Sequence, residues 1–88
     1  MSLQIYRSNI DLIDNEIIKL LEKRKLYTKK IGEIKQKQNL NIFFNVRETE
    51  ILHRLKSNSK KLEYWEIELV YNGIFRISRS SQIHISKG

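Results

Sequence analysis

Residues 3–37 read LQIYRSNIDLIDNEIIKLLEKRKLYTKKIGEIKQK, and this stretch decides the fold. Taken at alternating steps of three and four, it gives Leu3, Tyr6, Ile10, Ile13, Ile17, Leu20, Arg24, Tyr27, Ile31 and Ile34, an apolar seam at helical spacing with one charged member. It contains no proline and a single glycine, Gly32, so a helix is expected from Leu3 to about Lys37, with Ser2 placed to cap it. Such a helix runs about 52 Å, whereas a compact chain of this length has a radius of gyration of about 12 Å and a diameter of roughly 30 Å. The helix outreaches its own globule. A second copy of the same seam, packed around a two-fold axis, is the simplest cover for the overhang.

Arg24 is the odd member of the seam. A guanidinium does not escape burial by losing its proton, so an acidic side chain or an anionic ligand must meet it there. Lys35, eleven residues on, lies only about 20° round the helix and about 16 Å along it, so two long cationic side chains lean toward one spot. Arg7 is about 25 Å from Arg24 along the axis and cannot reach that spot from within the same straight helix. An antiparallel second chain could bring it there.

The rest of the chain supports a small, all-helical domain. Its 88 residues make one unit near the lower end of what folds alone, which dimerisation would ease. There is no cysteine, so thiolate nucleophiles, thiolate metal sites and disulfides are excluded. His53 and His84 stand apart without ligand-like neighbours, which argues against zinc. No signal peptide or membrane span is visible, and a cytoplasmic setting is the default expectation. The formal charge of +7 and isoelectric point near 9.8 point to an anionic partner. The cations fall on several helix faces without a docking motif, which disfavours nucleic acid as that partner.

After Gln38 the helical period breaks, and Asn39, Asn41, Phe43 and Phe44 suggest a connecting loop with both phenylalanines turned inward. Asn45 with Glu48 three residues on forms a capping-box pattern, so a second helix is expected from about Val46 to about Ser57, before the turn Ser57-Asn58-Ser59. A third helix is expected from about Glu63 to Ile85, with Ile67, Val70, Ile74, Ile77 and Ser81 inward and Trp65, Leu69, Tyr71 and Phe75 beside them. Ser78 and Gln82, four apart, share a face adjoining this stripe although neither is a natural core residue. Gly32 and Gly73 both suggest close approach by another backbone or a ligand, although Gly32 also reads as a glycine tolerated near the helix end. Glu48 has two readings, a helix-capping acid or a ligand-facing one, and Arg47 opposes the dipole of a first helical turn, which favours a ligand-facing role for it.

In register, Tyr6-Arg7-Ser8-Asn9-Ile10-Asp11-Leu12-Ile13-Asp14, Leu20-Leu21 with Arg24, Ile31-Gly32-Glu33-Ile34-Lys35, Arg47-Glu48, Ser78 and Gln82 resemble the all-helical (type II) chorismate mutases over nearly the whole chain. The resemblance implies an intertwined homodimer of three-helix chains, 1–88 forming a single domain, whose two sites are each completed by an arginine of the partner's long helix. Arg7 from the second chain and Arg24 would then bind the carboxylates of chorismate, and Lys35 and Gln82 would donate to its ether oxygen. Arg47 and Ser78 would add contacts on the carboxylate side, and Glu48 would accept from the ring hydroxyl. The implied reaction, a concerted Claisen rearrangement to prephenate in aromatic amino-acid biosynthesis, needs no cofactor, metal, base or nucleophile. It needs the enolpyruvyl arm folded over the ring and donors aimed at the charge that grows on the ether oxygen. The chain departs from the family pattern before Arg47, where Asn41 and Phe44 stand in place of the usual proline and aspartate. Two rival readings follow: an isochorismate pyruvate lyase on the same scaffold, against which Glu48 speaks, and a non-catalytic basic helical or regulatory module.

Overall fold

The computed structural model describes residues 2–41 and 45–83. Within them the chain is helical throughout, in the order α1 (Leu3–Lys37), α2 (Asn45–Asn58) and α3 (Tyr64–Ile83), with no strand among the described residues. Phe43, Phe44, His84 and Ile85, on which the expectations for the loop and the last turn fell, lie outside the described residues.

Local chemistry accounts for the ends of the helices. At the start of α1 the Ser2 hydroxyl accepts from the Ile5 amide at 3.3 Å, meeting one of the orphan donors. Its far end closes with Asn39 at φ 54, while the Leu40 amide reaches back to the Lys35 carbonyl at 2.8 Å and the Asn39 amide to that of Gln36 at 3.3 Å. That is a Schellman closure, with asparagine in the left-handed position that glycine more often fills. The second helix spans one residue more at each end than the sequence suggests. At the start of α3 the Glu66 carboxylate accepts from the Glu63 amide at 2.8 Å, the reciprocal half of a capping box.

Both other helices pack on α3: the C-terminal half of α1 along one side and α2 along another. The core is thin. Ile51, Ile67 and Phe75 are its buried apolar side chains, with the Tyr71 and Phe75 rings edge-to-face at 5.6 Å between centroids. Between α1 and α3 the buried contact is polar instead. The Thr28 and Ser81 hydroxyls meet at 2.8 Å, one donating to the other, and each also lies within hydrogen-bond reach of a carbonyl of its own helix, that of Lys25 for Thr28 and that of Ser78 for Ser81, to which the hydroxyl that accepts across the contact donates. These bonds satisfy groups that would otherwise be costly to bury.

Two expectations need correcting at the level of the single chain. Val70 and Ile77, read as inward, are 59% and 44% exposed, because α3 has only two neighbours and turns its Ile67, Phe75, Ser78 and Ser81 face toward them. A Cβ added to Gly73 meets nothing within 4 Å, so no close approach occurs there within one chain, whereas Gly32 is buried. The overhang inferred from the length of α1 is present. The molecule measures 56 × 29 × 15 Å with a radius of gyration of 16.2 Å, and the seam residues Leu3, Ile10, Ile13 and Ile17 lie open on the N-terminal half of α1.

Candidate active site

A cleft of about 250 Å³ opens where the C-terminal half of α1, the first turns of α2 and the last turns of α3 converge. From α1 come Arg24, Tyr27, Thr28, Ile31 and Lys35; from α2, Arg47, Glu48 and Ile51; from α3, Phe75, Ser78, Arg79 and Gln82. The helical period selects these residues, since Arg24, Thr28, Ile31 and Lys35 recur on one face of α1 just as Phe75, Ser78 and Gln82 recur on one face of α3. Four cationic side chains surround a single carboxylate, that of Glu48. The floor is hydrocarbon, supplied by Ile31, Ile51 and Phe75. A small dianion with an apolar ring matches that distribution better than a polymer would.

The polar groups hold one another. Arg24 donates through Nη1 to the Ser78 hydroxyl, which in turn donates to the Ile74 carbonyl at 3.0 Å, so the buried serine anchors the guanidinium. The Lys35 ammonium donates to the Gln82 carbonyl oxygen at 3.0 Å, while the Gln82 amide donates to the Ser78 carbonyl at 3.3 Å. Lys35 and Gln82 thus meet at one point, although the glutamine turns its acceptor toward the lysine and its donors toward the helix. To donate to a ligand beside Lys35 the amide must rotate. Arg47 lines the mouth of the cleft and lies 3.6 Å from Glu50 in an exposed pair, a contact that holds it only loosely.

Six of the seven residues singled out from the sequence, Arg24, Lys35, Arg47, Glu48, Ser78 and Gln82, line this cleft together. Arg7 does not. It sits exposed on the N-terminal half of α1, about 25 Å along the axis from Arg24. Sequence reasoning overlooked Arg79, whose Nε and Nη2 grip the two oxygens of Glu48 at 2.9 and 2.6 Å. Those hydrogen bonds raise the Arg79 pKa above the ordinary arginine value, against the opposing effect of burial and with help from the Glu48 charge. Its place beside Ser78 and three residues before Gln82 was the available signal. Among the described residues no cluster of histidine, aspartate and glutamate could hold a metal ion, and no helix is long and apolar enough to cross a membrane.

The family model described as chorismate mutase type II matches residues 6–83. The chain belongs to that family. A bifunctional chorismate mutase/prephenate dehydratase of Aquifex aeolicus is 39% identical over 79 residues, which cover 90% of this chain and 19% of that protein. The chain therefore spans about a fifth of the length of that curated relative. Among solved structures, the chorismate mutase of Helicobacter pylori in complex with prephenate superposes with a TM-score of 0.88 at 38% identity, covering 97% of this chain and 93% of the other. The chorismate mutase fold thus extends over the described helices, including the open half of α1.

Proposed function

We propose that this chain catalyses the rearrangement of chorismate to prephenate, with each active site built by two copies of the chain. The observation that carries the reading is the convergence of Arg24, Lys35 and Gln82 from two helices on one hydrocarbon-floored cleft, in a chain of the chorismate mutase family. The Helicobacter pylori relative, described in complex with prephenate, supports it.

Arg24, held by Ser78, binds a substrate carboxylate through its planar fork, and Arg47 adds positive charge at the mouth. Arg7 of a second chain, running antiparallel, supplies the further arginine and closes the cleft. Restraining both carboxylates folds the enolpyruvyl arm over the ring and removes much of the entropic barrier. As the ether bond breaks, negative charge grows on its oxygen. Lys35 and the rotated Gln82 amide oppose that charge in a site from which substrate has displaced water, where a preorganised donor is worth about 10²–10³ in rate. Glu48 accepts from the ring hydroxyl. No proton leaves substrate and no covalent intermediate forms, so the side chains act by position and charge alone.

The direct test is the loss of chorismate absorbance on adding purified protein, with the product identified. Prephenate supports the reading. Inertness toward chorismate, with isochorismate converted to salicylate and pyruvate, would establish the lyase instead. Inertness toward both, with binding of a dicarboxylate transition-state analogue retained, would mark a regulatory module.

A further inference from the structure

The proposed chemistry leaves the Arg79–Glu48 pair of the cleft unexplained. Its two partners come from different helices, its geometry is bidentate, and it borders the space where substrate would sit. Its worth to the fold is small. The side chains are 36% and 21% exposed, and solvent screens a pair open to that degree. Orientation is a different matter. A glutamate on a first helical turn has three rotatable bonds and, unrestrained, spreads its carboxylate over many positions. A guanidinium fork fixes both the position and the plane of that carboxylate, which a lysine, as a point charge with rotating donors, does not do.

Neighbouring residues of α3 make the arrangement more specific. Ser78 holds Arg24 from α1, and Arg79, the next residue, holds Glu48 from α2. Successive side chains on a helix diverge by about 100°, so one peptide unit of α3 sets the separation between a cation and an acid that come from two other helices. The fork occupies one acceptor position on each Glu48 oxygen. A carboxylate has about four such positions, so acceptor capacity remains for a hydroxyl in the cleft.

We propose that Arg79 is a positioning residue: it presents the Glu48 carboxylate, in one fixed orientation, to the ring hydroxyl of the substrate, and so sets specificity for a hydroxylated ring. The proposal rests on the chorismate mutase reading above and extends it to a residue that touches no reacting atom. The ring hydroxyl is bound to the same extent before and during bond rearrangement. Weakening its contact therefore raises KM and leaves kcat nearly unchanged.

The test compares wild type, Arg79→Met and Arg79→Lys on chorismate and on an analogue carrying hydrogen in place of the ring hydroxyl. For Arg79→Met the expected result is a fall of about tenfold in kcat/KM on chorismate, mostly in KM, and no more than about twofold on the analogue. Arg79→Lys should fall between, and the thermal midpoint should move by only a few degrees. In a Glu48→Ala background, Arg79→Met should cost nothing further. Equal losses on both substrates, no loss on chorismate, or a full additional loss on top of Glu48→Ala would each overturn the proposal. If Arg79→Met fails to fold, the same substrate split measured on Arg79→Lys decides. A wild type inert toward chorismate would refute the parent reading and this proposal together, whereas an active wild type with equal losses refutes the role of Arg79 alone.

Discussion

In the proposed reaction Lys35 is the side chain on which the chemistry would depend most, because it combines a full charge with a place beside Gln82 in the cleft. Lys35→Ala is expected to lower kcat by about 10²–10³ while leaving the helical circular dichroism unchanged, and steady-state kinetics on chorismate check it. Ser78→Ala should behave differently. It removes the buried anchor of Arg24, so a loss of about 1 kcal/mol in stability and a drop of roughly tenfold in kcat/KM are expected together, read by urea titration and by rate. Arg79 brings no titration of its own to the working range. Its pKa is raised, so the stability that comes from the shift is complete at every pH below the ordinary arginine range and is lost only above it. At this scale the sequence was informative wherever a residue broke the pattern around it. Arg24 in an apolar seam, and Ser78 with Gln82 beside an apolar stripe, could be noticed as misfits. Arg79 breaks no such pattern: beside Arg76 it looks like another solvated position of α3, and only its place next to Ser78 and three residues before Gln82 hints at the cleft.

The three helices were readable because their hydrophobic period persists over many turns. Their ends were readable where a side chain marks them, as Ser2 does for α1. The close of α1 shows the limit: Asn39 was seen as a loop residue, but its left-handed backbone and the reach of the Leu40 amide to Lys35 belong to a hydrogen-bond pattern that residue types alone do not spell out. Because a β-branched residue at φ 54 is strained, Asn39→Val is expected to destabilise the chain by about 1–2 kcal/mol and Asn39→Gly to be nearly neutral, as thermal melts would show. The inward face of α3 was misjudged for a related reason. The apolar stripe of that helix is wider than one chain can bury, and its period does not say which part faces which neighbour. Leu69, Val70 and Ile77 lie open around Gly73, a surface with a gap at its centre. Gly73→Leu has room within the single chain, so it should preserve helicity yet weaken self-association if a partner helix crosses there, which sedimentation velocity would measure.

At the scale of the whole molecule, the proposed second copy would account together for a 35-residue helix with half its seam uncovered and for an Arg7 that lies far from the cleft. Mixing Arg7→Ala with Arg24→Ala tests the shared site. Each mixed dimer has one site with both arginines intact, so random re-pairing should restore about a quarter of wild-type activity from two nearly inactive parents. No recovery would argue against cross-chain assembly. The open half of α1 also bears on how a newly made chain matures. Ile10, Ile13 and Ile17 are left open by the described residues of their own chain, so in the proposed dimer the last step of refolding would be an encounter between two molecules. If so, recovery from denaturant should follow second-order kinetics, and at extreme dilution the proposed activity should fall silent through the loss of a companion while every peptide bond stays intact.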